Sequence, residues 1–415
     1  MTKTTVWAVL PVAWLFLLAG CASPPHTDGT SSASPSPSPT VVTPIVTAPL
    51  TAFSERLFEK VAADSSANPV ISPLSAIIAL SMVAEGAKGD TAAALGKALG
   101  LSTPDLEQVV TDLVSAPTGS DDAHLISANA AWLDKTIKAN QGWVDKLKTQ
   151  YQGDVFNTDL TDPAAASAIN DWVADKTNGL IPDLVDKVDP NTMALLVNAL
   201  TMQATWATPF DPSRTSQGQF VTSAGANVAA SFMHSKPDRR QLIDTGSATG
   251  VVMPYAGDKL SFLAVMPTKG KLSLDGNTIA SLLAAARPTE PVEVTIPKFH
   301  VSFDTHLIRQ LSALGLSALF SPTADLSGMG TATQGALSIS DVQQKVSLSL
   351  GEQGTTASAA TKVAAPAAAA TGGDETVTSV TFDRAFVYAV IDQATGVPLF
   401  IGSMDDPSLA PPEAN

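Results

Sequence analysis

Residues Glu352 to Ala370 read EQGTTASAATKVAAPAAAA, a run of small side chains between two segments, 336–350 and 378–404, that have the composition of strands. Taken with period 2 from Thr355, one set of positions is Thr355, Ala357, Ala359, Thr361, Val363 and Ala365, all small or apolar. The other set is Thr356, Ser358, Ala360, Lys362 and Ala364. As a strand, the stretch buries the first set and leaves Lys362 in solvent, so nothing large or charged enters a core. As a loop, it is protease bait. Read alone it is equally an Ala/Thr linker of low complexity, and the rest of the chain has to decide.

The 415 residues, 45% hydrophobic, suffice for one large core or two ordinary ones. A formal net charge of −15 argues against nucleic acid and against a polybasic membrane surface, because both require a cationic face. Residues 1–21, MTKTTVWAVLPVAWLFLLAGC, place Lys3 before a short apolar run that ends in Leu18-Ala19-Gly20-Cys21, the pattern of an export signal. The ending resembles a bacterial lipoprotein box, which implies lipidation at Cys21, the only cysteine of the chain. The mature domain then has no thiol, disulfide or thiolate metal site. Residues 22–49, rich in Ser, Pro and Thr, read as an extended tether.

Phe53, Leu57, Phe58 and Val61 recur at helical spacing and open the globular part. In NPVISPLSAIIALSMVAEG, Ser72 is placed as an N-cap, Pro73 as the first helical residue, and the apolar run behind them predicts a buried helix. Further helices are expected at 104–115, around 140–150, at 169–185 with a left-handed close at Gly179, and at 304–315. Strands are expected at 125–133, 193–206 (buried on both faces), 217–223, 251–255, 259–267, 292–299, 336–350 and 378–404. Helices first and strands later indicate an α+β fold in one mixed domain.

Several blocks together resemble the serpin family. They are Asn68-Pro69 with Ser72-Pro73-Leu74-Ser75; LLVNALTMQATW with Asn198, Trp206 and Phe210; INDWV…TNGLIPDLV; VMPYAGDKLSFLAVMP; TIPKFHVSF…LSALGLSALF; and FDRAFVYAVIDQATGVPLFIGSMDDP with Phe382, Phe386, Leu399, Phe400, Gly402 and Pro407. Their order over more than three hundred residues makes coincidence untenable. The resemblance implies three β-sheets with surrounding helices over residues 50–407, an exposed reactive-centre loop at about 352–380, and a flexible tail at 408–415.

It also implies roles. Glu352, Gly354, Thr355, Ala357 and Ala359 correspond to the loop hinge of an inhibitory member; Ser72, Ser75, Asn198, Trp206 and Gln344 correspond to the shutter and breach of the main sheet. The implied mechanism is a suicide trap: a protease cleaves the loop, is held as an acyl-enzyme, and is carried along as the loop inserts into the sheet. Counting from Glu352 as the family's hinge requires places the scissile bond at Ala368-Ala369, suited to the small primary pocket of elastase-like or subtilisin-like serine proteases. Inhibition of a papain-like cysteine protease and a non-inhibitory binding or structural role are the alternatives.

The chain departs from the family where Gln344 replaces the usual shutter histidine; glutamine still donates and accepts, toward Ser72 or Asn198, but without an imidazole's pH sensitivity. Ala385 stands where proline is common, and the segment from Ala369 to Phe382 is long. No Lys or Arg lies in 104–115, so no heparin-like activator is expected. An enzyme is not expected either: neither Gly-x-Ser-x-Gly nor Ser-x-x-Lys occurs, and His124, His234, His300 and His306 lack metal-ligand spacing. The expectation is therefore a monomer without cofactor or metal. Its partners are a serine endopeptidase and, through the lipid, the outer face of a bacterial cell membrane, with shedding into the medium as the alternative.

Overall fold

The computed structural model describes residues 47–65, 67–115, 123–288, 291–333, 335–356 and 377–410. Helix α1 (Ala48–Asp64) begins inside the stretch read as tether and buries Leu50, Phe53, Leu57, Phe58 and Val61 along one face. Strand β1 (Val70–Ile71) leads into α2 (Pro73–Ala84). The Ser72 hydroxyl caps α2 by accepting from the Ser75 amide at 3.2 Å, and Pro73 occupies the first helical position, where a missing N–H costs nothing. Every residue of α2 is buried. Helices α3 (Gly89–Leu99) and α4 (Thr103–Ser115) follow. The sequence reading omits α3, although Thr91, Leu95, Ala98 and Leu99 bury one face and Gly100, at φ 72°, ends it.

Next come β2 (Ala123–Asp134), β3 (Ile137–Ala139), α5 (Gln141–Gln150), β4 (Asp154–Thr158), α6 (Ala164–Lys176) and β5 (Ala194–Thr205). The helix expected in the 169–185 stretch starts earlier, at Ala164, and ends at Lys176; Gly179 is left-handed (φ 77°) as expected, and Asn178 (φ 54°) before it is left-handed too. Residues 180–185 are not helical. The chain continues through β6 (Ser216–Val221), β7 (Asn227–His234), β8 (Gln241–Asp244), β9 (Ala248–Pro254), β10 (Leu260–Pro267), α7 (Thr278–Ala285), β11 (Arg287–Pro288), β12 (Val292–Pro297) and β13 (Phe299–His306). The helix expected at 304–315 shrinks to α8 (Ile308–Leu311) and a wider turn ending at Leu316, broken by Gly315 at φ 96°. Residues 304–306 are strand instead, since β13 pairs with its neighbour as far as His306. The last elements are β14 (Gly330–Ala332), β15 (Asp341–Leu350), β16 (Gly354–Thr356), β17 (Thr378–Thr381), β18 (Phe386–Asp392) and β19 (Pro398–Met404). Residues 336–340, read as strand, precede β15 without joining it. The tail expected from 408 is ordered through Ala410, which is buried and accepts from the His300 amide at 3.2 Å.

Among the described residues three large sheets and one two-stranded ladder form. One sheet runs β1-β19-β18-β10-β9-β8-β11, a second β17-β12-β7-β6, and the central sheet β13-β15-β16-β5-β2-β4. In the central sheet, β5 and β15 pair directly and in parallel from Leu195↔Asp341 to Leu200↔Val346. Beyond that point β16 lies between them, antiparallel to both.

Strand β5 lacks polar alternation because both its faces are covered. Leu196, Leu200, Met202 and Ala204 join the main core with α2, whereas Leu195, Val197 and Ala199 cluster with Ile169 and Val173 of α6 and with Ile181, Leu184 and Val185 of the segment after it. Two covered faces give a continuous apolar run rather than an alternating one. Helix α2 and residues 181–185 thus grip the central sheet from opposite sides at the line where β5 meets β15.

Candidate functional site

The site is the upper end of the β5/β15 line, where the chain leaves β15 at Leu350 and turns back as β16. The turn is held by its carbonyls. Gly351 O accepts from the Trp206 indole at 2.9 Å, Glu352 O from the Phe210 amide at 2.8 Å, and Gln353 O from the Trp206 amide at 2.8 Å. Trp206 is itself fixed by stacking on Tyr255, with centroids 4.5 Å apart and planes 7° from parallel, and by edge contacts with Phe210 and Phe262.

The Glu352 carboxylate accepts from Lys298 Nζ at 2.8 Å and from Thr215 Oγ1 at 2.8 Å, and both ends of the ion pair are largely covered. Burial opposes its charge, but the bonds from Lys298 and Thr215 outweigh that and hold the carboxyl below its ordinary value of 4.5. Thr355 is already inside the sheet. It is 0% exposed, its register partners are Leu350 on one side and Ala204 on the other, and its hydroxyl bonds the buried Tyr255 hydroxyl. Gly354 lies so close to β5 that a Cβ there would fall 1.9 Å from the Ala204 carbonyl oxygen.

Lower down, Gln344 stands opposite Asn198 across the line. The two bond away from each other. Gln344 clasps the backbone of Ser72, its Oε1 accepting from the Ser72 amide at 2.9 Å and its Nε2 donating to the Ser72 carbonyl at 2.8 Å. Asn198 instead donates from Nδ2 to Asn129 Oδ1. Among the described residues the Asn198 Oδ1, Ser75 Oγ and Thr201 Oγ1 atoms are buried without a hydrogen-bond partner. The structure thus joins Gln344 to Ser72, joins Gly354 and Thr355 to the Trp206 anchor, and leaves Asn198 and the Ser75 hydroxyl outside the Gln344 clasp.

On the outer face, Gln343 Nε2 donates to Leu184 O at 2.6 Å, and Lys345 Nζ donates to Asp183 O at 2.7 Å and Oδ1 at 2.8 Å. The 181–185 segment is therefore fastened to β15 by polar bonds and to β5 by apolar contact. Asn129, Tyr255, Lys298, Thr215, Gln343 and Lys345 are contributors that sequence reasoning missed. Only Lys298, a cation bounded by Pro297 and Phe299, carries a signal that could have been caught. Ala357, Ala359, the bond Ala368-Ala369 and Cys21 lie outside the described residues. The histidines are dispersed: His234 bonds Ser216 and Thr295, His300 bonds Ser349, and His306 pairs with Asp341.

A family model described as Serpin (serine protease inhibitor) matches residues 48–407. Serpin A9 of Homo sapiens is 30% identical over 405 residues, 94% of this chain and 95% of that protein. Thyroxine-binding globulin of Ovis aries is 29% identical over 373 residues, 86% of this chain and 88% of that protein. Among solved structures, the thermophilic serpin tengpin in its native state is similar with a TM-score of 0.79 at 30% identity, covering 88% of this chain and 95% of that one.

Two outcomes follow from the geometry of the turn. Gly354→Ala forces β16 out from between its neighbours, so hydrogen exchange of the 354–356 amides should accelerate at least about tenfold while exchange in β18 stays unchanged. Because Glu352 has a depressed pKa, the stability it contributes is present above 4.5 and is lost as pH falls through its lower folded value. The difference in melting temperature between wild type and Glu352→Gln should accordingly be constant from pH 7 to 5 and shrink below 4.5; a constant difference down to pH 3 contradicts the assignment.

Proposed function

The chain belongs to the serpin family, and from that premise we propose that it inhibits serine proteases by trapping the acyl-enzyme as its cleaved loop inserts between β5 and β15. Members of this family act as a class on proteases rather than as catalysts, although some are not inhibitors. The observation that carries the inhibitory reading is Thr355, the first inward residue of the loop, lying buried between β5 and β15.

Extending the observed register downward pairs Ala357 with Met202, Ala359 with Leu200, Thr361 with Asn198, Val363 with Leu196 and Ala365 with Ala194 on β5, by steps of two from Thr355↔Ala204. On β15 the same extension from Thr355↔Leu350 brings Thr361 opposite Gln344. The one inward polar residue below Thr355 thereby meets the polar pair of the sheet, where Asn198 Oδ1 has no partner. The small side chains elsewhere match the apolar core positions they would join. A strand making on the order of ten net backbone hydrogen bonds at roughly 0.5–1.5 kcal/mol each would release about 10 kcal/mol.

The outward set fits differently from the sequence expectation. Lys362 comes opposite Val197, beside the cover formed by Ile181, Leu184 and Val185, so full insertion requires that segment to give up its fastening to β15. Ala368-Ala369 is the proposed scissile bond, and an elastase-like or subtilisin-like enzyme the proposed target. Lipidation at Cys21, with residues 22–46 as the tether, is the proposed anchor to the outer face of the membrane. A carrier role is the second reading, favoured by the likeness to thyroxine-binding globulin.

The deciding experiment incubates the protein, produced without residues 1–21, with an elastase-like protease. A complex that survives denaturant, with release of a peptide beginning at Ala369 or a neighbour, is expected. Thr355→Arg places a cation where Tyr255 and Ala204 enclose the side chain, at a cost of several kcal/mol. It should reduce the covalent complex at least about tenfold while cleavage continues; an undiminished complex sinks the insertion mechanism, and cleavage of the wild type with neither complex nor gain in thermal stability favours the carrier.

A further inference from the structure

Phe210 links the hinge to a second group. Its amide donates to the Glu352 carbonyl at 2.8 Å, and its ring lies 5.9 Å from the guanidinium carbon of Arg240. Arg240 is 6% exposed, and both Nε and Nη2 are buried without a hydrogen-bond partner. Among the described residues no carboxylate forms an ion pair with it. The acidic groups of the segments that meet here are engaged elsewhere: Asp238, two residues before Arg240, accepts from the Arg239 amide at 2.8 Å, Asp211, next to Phe210, from Ser213, and Glu352, whose carbonyl Phe210 holds, from Lys298 at 2.8 Å. Asp238 acts on Arg240 only through space, while burial pulls the guanidinium below its ordinary value.

A buried cation whose donors are idle is costly, and native proteins retain one where something pairs with it. The two idle atoms are informative. Nε–H and the Nη2–H beside it form the parallel fork that matches two oxygens of a carboxylate or phosphate. The neighbouring sequence is suited to an anion as well: in a chain of net charge −15, Lys236-Pro237-Asp238-Arg239-Arg240 is the only five-residue window with three cations.

We propose that Arg240 is the seat of an anion site beside the hinge, which binds a small oxyanion through the Nε/Nη2 fork. The bound anion pairs the guanidinium, fixes the Phe210 ring beneath it, and through the Phe210 amide steadies the 351–353 turn. The inference does not depend on the protease-trapping reading, since it concerns binding and native-state stability alone.

The test is thermal unfolding of the intact protein in phosphate, sulfate or acetate, against chloride at matched ionic strength, for wild type, Arg240→Met and Arg240→Lys. Saturable stabilisation of the wild type by roughly 3 °C or more is expected. It should vanish in Arg240→Met and weaken at least about tenfold in apparent affinity in Arg240→Lys, which keeps the charge but loses the fork. Exchange of the Phe210 amide should slow on saturation. Stabilisation by phosphate and sulfate alone assigns a tetrahedral oxyanion, and by acetate alone a carboxylate. An equal rise in wild type and Arg240→Met, as salt exclusion from the surface produces, overturns the site. So does the absence of any saturable shift with all three anions. Should Arg240→Met not fold, wild type against Arg240→Lys gives the same decision.

Discussion

The pairing of β5 with β15 is the constraint on which the rest of the molecule depends. Below Leu200 and Val346 the two strands share one parallel ladder; above it, β16 has replaced that ladder with two antiparallel ones. Each further pair of residues added to β16 breaks bonds on one ladder and makes them on two, so extension is downhill in hydrogen bonds alone. The sheet is therefore caught partly open. Its side chains are arranged to let it open further, because Gln344 and Asn198 face each other across the line and yet bond to Ser72 and Asn129 instead. Opening that position separates two groups that were never joined.

An opening strand also needs a fixed starting register. A slip of one residue would exchange the two faces and send Lys362 toward the core. The turn at 351–353 prevents this by being nailed from outside, with three successive carbonyls accepting from Trp206 and Phe210. The Glu352–Lys298 pair holds the same turn from its side-chain face. Thr355 then has only one place to go, and its hydroxyl finds Tyr255 there. Aromatic packing, backbone bonding and one ion pair thus set the register before any loop residue beyond Thr356 is involved.

Much of this was legible in the chain. The capping of α2 by Ser72, the double-sided burial of β5 and the inward placing of Thr355 all rest on local pattern, which tertiary packing left intact. The misreadings lie where tertiary pairing overrode local pattern. His300 to His306 alternate polar and apolar residues and are claimed by β15, although the apolar spacing after them imitates a helix. The partners of the hinge were illegible for another reason. Thr215, Tyr255 and Lys298 come from three separate connections, and apart from the apolar flanks of Lys298 nothing local to them announces a carboxylate or a hydroxyl more than fifty residues away.

The covering segment 181–185 bears on how fast the sheet can open. It is fastened on both sides of the line, to Gln343 and Lys345 of β15 by hydrogen bonds and to Leu195, Val197 and Ala199 of β5 by packing. Admitting one more strand separates the two fastenings by about 4.8 Å, more than a hydrogen bond can stretch. One side must let go. The Lys345–Asp183 bond is partly wet, with the Asp183 side chain 67% exposed, so water replaces it at little net cost. Stripping Ile181, Leu184 and Val185 from β5 instead would expose apolar surface worth several kcal/mol. On the proposed insertion the polar fastening is therefore the one to yield, with the segment staying on β5 while β15 moves away beneath it.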